Sequence, residues 1–122
     1  MKLLIIDDNM EFRIMISDYF SELGFEVLEA EDGKTGIEMA KKAEPDIIFL
    51  DVMMPDIGGI EVLRELGSDY DTRKIPVFII TGTYFESEMN QLFMQEANCK
   101  EFLSKTAELS VIQKKLEAVL GK

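Results

Sequence analysis

The sequence predicts an α/β domain in which a five-stranded parallel sheet is doubly wound, with helices on both faces. Three observations carry that prediction. Five short apolar runs alternate strictly with five segments of helical period, the pattern that right-handed crossovers between parallel strands impose. The runs at 3–6, 47–50 and 76–80 hold no polar side chain, so they read as strands covered on both faces. No linker, repeat or low-complexity stretch interrupts the alternation, and 122 residues suit one domain with a real core.

Each element has its own signal. Residues 3–6 are the first strand. Phe12, Ile16, Tyr19, Phe20 and Leu23 then recur as one face of a helix over 10–23, which Gly24 ends. Val27 and Leu28 among Glu26, Glu29 and Glu31 mark a shorter strand nearer an edge. Asp32-Gly33 is a turn and cap before a helix over 34–43, stopped before Pro45. The run 47–50 is closed by Asp51, and the loop VMMPDIGG leads to a helix near 59–66 with Leu63 and Leu66 inward. After the polar stretch GSDYDTRK, the run 76–80 ends in Thr81-Gly82. A helix near 85–96 places Phe85, Met89, Leu92 and Phe93 on one side. A last strand over 101–104 ends at Lys105, and a helix over 107–120 buries Leu109, Ile112, Leu116, Val119 and Leu120.

Composition excludes several functions. The formal net charge is −11, from 13 Lys and Arg against 24 Asp and Glu. Nucleic-acid binding needs a basic patch, so no direct contact with DNA or RNA is expected, and no attraction to anionic lipid. Such acidity suits a cation or a basic partner. Cys99 is the single cysteine and His is absent. An internal disulfide and a His base are therefore impossible, and a zinc site is nearly excluded. Cys99 reads as a small core residue. No run is long enough to span a bilayer, and the N-terminal one is too short for a signal. The expected setting is cytoplasmic and reducing.

In open α/β sheets, ligands bind beyond the carboxyl ends of the strands, where strand order reverses. Those ends carry Asp7 and Asp8, Asp51, Thr81 and Lys105; residues 29–31 end the second strand out at the edge. Any one of these has a plain reading as a cap, turn former or solvated charge; the signal is their joint placement. Three carboxylates packed together repel unless a cation sits among them or a proton is taken up. All-oxygen ligands favour Mg²⁺ or Mn²⁺. The rest suits phosphoryl transfer: a carboxylate as nucleophile, a lysine and a metal to neutralise the phosphoryl oxygens, and a hydroxyl at Thr81 to donate to one. No general base is present to drive hydrolysis of the resulting acyl phosphate.

The motifs IIDDN, FLDVMMPDIGG, VFIITGT and EFLSK together resemble the receiver domains of two-component response regulators, the fold of the bacterial chemotaxis receiver. The likeness covers essentially the whole chain. It implies a single (βα)5 domain over residues 1–122, flavodoxin-like, with strand order 2-1-3-4-5 and no output domain in this chain. It implies that Asp51 is the phosphoacceptor and that Asp7 and Asp8 hold Mg²⁺, Asp8 directly and Asp7 through water. The third protein ligand would be the backbone carbonyl of Met53. Thr81 resembles the switch hydroxyl, Lys105 the phosphate-pairing lysine and Phe102 the switch aromatic. Implied partners are a histidine kinase or histidine phosphotransfer protein as donor, and a downstream protein target or fused output domain as receiver of the signal. A phosphorylation-dependent homodimer is a further expectation. The family's signalling face is the fourth helix, fifth strand and fifth helix, where Tyr84 and Met94 would form an apolar patch.

The chain departs from the family at several points. Thr106 follows Lys105 where Pro, often with a cis bond, is usual; a non-prolyl cis bond costs about 2.5–4 kcal/mol, so a trans bond is expected. Gly58-Gly59 stands where Asp-Gly is common, and the stretch from Thr81 to Lys105 is about two residues longer than in many members. Asn98 replaces a frequent Gly, which its tolerance of the left-handed region would allow. Met53 and Thr83 would flank the path of attacking water, and neither is a strong base, so slow self-dephosphorylation is expected.

Two other functions compete. A Mg²⁺-dependent aspartyl-phosphate phosphohydrolase needs a second acid two residues after the nucleophile, where this chain has Met53. A pseudo-receiver scaffold, never phosphorylated, has no need of the intact set Asp7, Asp8, Asp51, Thr81 and Lys105. The chain is thus expected to be a signalling switch and not a turnover enzyme, either stand-alone or part of a longer regulator.

Overall fold

The apolar runs become the strands they predict. A computed structural model describes residues 1–82 and 87–121. Its strands are β1 (Lys2–Ile6), β2 (Glu26–Ala30), β3 (Ile47–Leu50), β4 (Val77–Thr81) and β5 (Cys99–Ser104). They form one parallel sheet in the order β2-β1-β3-β4-β5. The interior strands β3 and β4 are buried at every position. At the edge, β2 leaves Glu26 and Glu29 exposed. Pro76 stays outside β4: it has no N–H for the ladder, and contributes only its carbonyl, which accepts from Ile48 N–H.

Strand side chains alternate between faces, and the helices divide accordingly. Helices α1 (Met10–Glu22) and α5 (Leu109–Leu120) cover one face, where Phe12, Ile16, Phe20, Ile112 and Leu116 pack on Leu3, Ile5, Phe49, Phe78 and Ile80. Phe49 joins the two layers, meeting Phe20 edge-on at 5.5 Å and stacking on Phe78 at 5.8 Å. Helices α2 (Gly33–Ala43), α3 (Gly59–Ser68) and α4 (Ser87–Met94) cover the other, with Ile37, Leu63, Leu66 and Phe93 on Leu4, Ile6, Ile48, Leu50 and Ile79.

The predicted stops are present. Gly24 has φ +97°, Phe25 N–H donates to Phe20 O and Gly24 N–H to Ser21 O, a Schellman close of α1. Asp32 caps α2 by accepting from Thr35 N–H at 2.8 Å.

Several expectations are corrected. Leu23 and Val119 are exposed at 44% and 38%. A helix of 12 or 13 residues runs about 18–20 Å, longer than the ~17 Å of a five-residue strand, so its terminal turn outruns the sheet. Leu92 is also exposed; it stands about 100° around α4 from buried Phe93. Phe85, placed on the same stripe, lies outside the described residues. Asn98 is not left-handed: among the described residues, Glu44 is the only non-glycine with positive φ. Asn98 is instead buried, with Nδ2 donating to Leu63 O at 3.0 Å. The side-chain amide satisfies a carbonyl of α3, work that a Gly could not do. The Lys105–Thr106 bond is trans, like every described peptide bond. Among the described residues, no helix is long and apolar enough to cross a membrane.

Candidate functional site

The acidic rim forms at the carboxyl ends of β1 and β3. Asp7 continues β1, its N–H on Ala30 O, and Asp51 continues β3, its N–H on Ile6 O at 3.0 Å. That bond brings the two acids side by side. Asp7 is 1% exposed and Asp51 6%, whereas Asp8, one residue on, is exposed. Asn9 finishes the turn. Its Oδ1 caps α1 by accepting from Phe12 N–H, and its own N–H donates to Asp7 Oδ1 at 2.9 Å.

Lys105 reaches the rim from the opposite side. Its N–H donates to Thr81 O at 2.9 Å, which extends the β4–β5 pairing past Ser104. Its ammonium lies 2.8 Å from Asp7 Oδ2 and 3.6 Å from Asp51 Oδ2. It also stands 4.8 Å above the Phe12 ring, a face that attracts cations. The other Asp51 oxygen, Oδ1, accepts from Val52 N–H at 2.8 Å.

One lysine does not balance this site. Among the described residues, three carboxylates (−3) and one ammonium (+1) leave a formal −2. Burial pushes the Asp7 carboxyl above its ordinary range, and the Asp51 charge adds to that rise. The hydrogen bonds from Lys105 and Asn9 N–H oppose it. Asp7, Asp8 and Asp51 each offer a carboxylate oxygen, and these atoms all lie within 4.8 Å of one another. The spacing, the surplus negative charge and the all-oxygen donors fit a hard divalent cation.

Thr81 ends β4 fully buried. Met53 lies on the loop after β3 with its side chain 62% exposed. Phe102 is buried, its ring 5.4 Å from that of Phe93. Met94 is exposed at 42%, and the Cys99 thiol donates toward its sulfur at 3.7 Å. Cys99 is the core residue expected, and burial pushes its thiol up to about 11. Thr83 and Tyr84 lie outside the described residues.

Three supports escaped the sequence reading. Arg13 Nη1 donates to Asp7 O at 2.6 Å, while its Nε pairs with Glu29 at 3.2 Å; this braces the acidic turn against β2. The Asp56 carboxylate accepts from Gly33 and Lys34 N–H at 3.0 and 2.9 Å, tying the loop after Asp51 to the start of α2. Gly59 packs so closely that an added Cβ would stand 2.6 Å from Asp51 O and 2.8 Å from Val52 Cα. Only the Gly58-Gly59 pair was a local signal for any of these.

Fold and site define a class: a doubly wound parallel domain with an acidic cluster and a lysine at the point where strand order reverses. A family model described as response regulator receiver domain matches residues 3–117, and the chain belongs to that family. It is similar to the chemotaxis protein CheY1 of Helicobacter pylori, 32% identical over 123 residues, covering 99% of this chain and 98% of that protein. It is also similar to protein PilH of Pseudomonas aeruginosa, 29% identical over 120 residues and 98% of each. Among solved structures, the chemotaxis protein CheY4 of Vibrio cholerae superimposes with a TM-score of 0.88 at 28% identity, covering 97% of both chains. Receiver domains are signalling domains and not turnover enzymes.

Proposed function

We propose that this chain is a phosphorylation-switched receiver that takes a phosphoryl group from a phosphohistidine donor onto Asp51. The observation that carries the proposal is the position of Asp51: buried, 3.6 Å from the Lys105 ammonium, with the carboxylates of Asp7 and Asp8 within 4.8 Å. An Asp51 oxygen bonds to phosphorus as the P–N bond of the donor breaks. The bonding pair leaves on the imidazole nitrogen, which is then protonated from water. Lys105 holds negative charge on the transferred group, and Thr81, at the end of β4, donates its hydroxyl. Asp7, Asp8, Asp51 and the Met53 carbonyl would hold Mg²⁺, or Mn²⁺. When bound, the ion neutralises charge on the transferring phosphoryl group.

The acyl phosphate carries roughly −1.5 to −2 charges where the Asp51 carboxylate carried one, and extends them toward Thr81 and Lys105. Thr81 and Lys105 are drawn toward it, moving the ends of β4 and β5. Phe102 sits on β5 beside them and is the aromatic that changes position as the α4–β5–α5 face rearranges. The partners of this reading are a histidine kinase or histidine phosphotransfer protein and a downstream protein target or output domain, with a homodimer favoured by phosphorylation. Its setting is cytoplasmic, and residues 1–122 act as one receiver unit.

The test is incubation with acetyl phosphate and Mg²⁺, trapping, and mass-spectrometric mapping. Label on Asp51 that is absent from Asp51→Asn is expected. No label, or label elsewhere, overturns the proposal; sustained turnover of phosphomonoesters would make the chain a phosphohydrolase instead.

A further inference from the structure

Lys105 is the middle of a turn that two hydroxyls close. Ser104 pairs with Thr81 at the last rung of the β4–β5 ladder, and Lys105 N–H extends that ladder to Thr81 O. The chain then reverses: Ala107 N–H donates to Ser104 O at 3.0 Å. Inside that turn, Thr106 N–H donates to Ser104 Oγ at 3.1 Å, and Ser104 Oγ lies 2.8 Å from Thr106 Oγ1, where either hydroxyl can donate. A serine bonded to the N–H two residues on is a side-chain mimic of a backbone turn. Lys105 is thus held on both sides, by Thr81 before it and by the Ser104–Thr106 clasp after it. Its ammonium then reaches Asp7 at 2.8 Å and Asp51 at 3.6 Å.

We infer that Ser104 is a positioning residue: its hydroxyl, clasped by Thr106, sets the backbone of Lys105 and so aims the ammonium at Asp7 and Asp51. The consequence for phosphorylation rests on the reading of Asp51 as phosphoacceptor. A lysine on a long flexible stem loses effect steeply when its anchor drifts, because transfer depends on placement within about an ångström. Thr106 supplies both an N–H and a hydroxyl to the clasp, so replacing its hydroxyl alone leaves the main-chain bond in place.

The rate of Asp51 labelling by acetyl phosphate, followed against donor concentration, tests this. Ser104→Ala is expected to lower the maximal rate about fivefold with half-saturation unchanged, Ser104→Thr to restore it to within about twofold, and Thr106→Val to lower it about twofold. In a Lys105→Ala background, Ser104→Ala should change nothing further, because it acts through the lysine. A wild-type rate in Ser104→Ala, or the same loss in both backgrounds, overturns the role. A second measurement needs no phosphorylation. The ¹⁵N resonance of the Lys105 ammonium should move toward that of a free lysine in Ser104→Ala and stay in Ser104→Thr; an unmoved resonance overturns the role. If the wild-type chain takes no label, the phosphoacceptor reading falls, and the ammonium resonance alone decides whether Ser104 positions Lys105.

Discussion

The Lys105 ammonium is paired first with Asp7, at 2.8 Å, and only second with Asp51, at 3.6 Å. A cation entering the acidic cluster therefore meets a resident positive charge held by one of its three carboxylates. Lys105→Met removes that charge and leaves three carboxylates facing one another. Affinity for Mg²⁺, measured by calorimetry, is expected to rise about tenfold, the equivalent of ~1.4 kcal/mol, while Asp51 labelling falls. Unchanged or weaker Mg²⁺ binding would mean that lysine and metal do not oppose each other here.

Surplus negative charge makes the metal-free site a source of instability. Asp8→Asn, at the exposed corner of the cluster, is expected to raise metal-free stability by about 1 kcal/mol, or ~4 °C in Tm for a domain of this size. The wild-type chain should gain more from the ion: at a free concentration a hundred times Kd, mass action adds about 2.7 kcal/mol. Thermal melts with and without Mg²⁺ check both, and a mutant that gains as much from Mg²⁺ as the wild type would count against Asp8 as a ligand.

The α3 start has no room for a side chain. Gly59→Ala would place its Cβ 2.6 Å from Asp51 O, against backbone that cannot swing aside. Overpacking of this kind costs about 1–3 kcal/mol. Denaturant unfolding should register that loss, with Asp51 labelling slowed because the carbonyl that must shift is its own. Gly58→Ala, where an added Cβ meets nothing within 4 Å, is the control and should be near neutral.

Asp56 makes one part of stability depend on acid. The bond from Lys34 N–H, helped by that from Gly33 N–H, lowers its carboxyl from 3.8 to about 2. A depressed folded-state value stabilises the fold above the unfolded value, so the contribution is fully present above about pH 4. It is lost as pH falls through 2. Asp56→Ala should therefore flatten the acid limb of stability between pH 4 and 2, with little change in shape above it. Urea unfolding across that range is the measurement, and an identical acid limb would show that Asp56 does not clasp α2.

How much was legible in the sequence follows from the range of the forces involved. Apolar runs and helical faces are local patterns, and parallel crossovers put every strand's carboxyl end on one rim, so the sheet and the membership of the acidic site could be read directly, while the strand order came from the family resemblance. Helix limits could not: Leu23 and Val119 fit their periods, yet where a helix outruns its sheet is a matter of tertiary geometry. Asn98 looked like a backbone substitute for Gly and proved to be a side-chain partner for Leu63, because burial there is decided by α3.

By itself, the sequence determined the architecture, the acidic cluster and its lysine, since each depends on residue type at a strand end. Only the tertiary structure decided that adjacent Asp7 and Asp8 differ, one buried and paired, the other open to solvent. It alone decided that Lys105 favours Asp7, that Gly59 must lie against Asp51, and that Ser104 and Thr106 close the turn beneath the lysine. These are differences of an ångström between segments far apart in the chain, and they are settled by packing and burial, which no local pattern encodes.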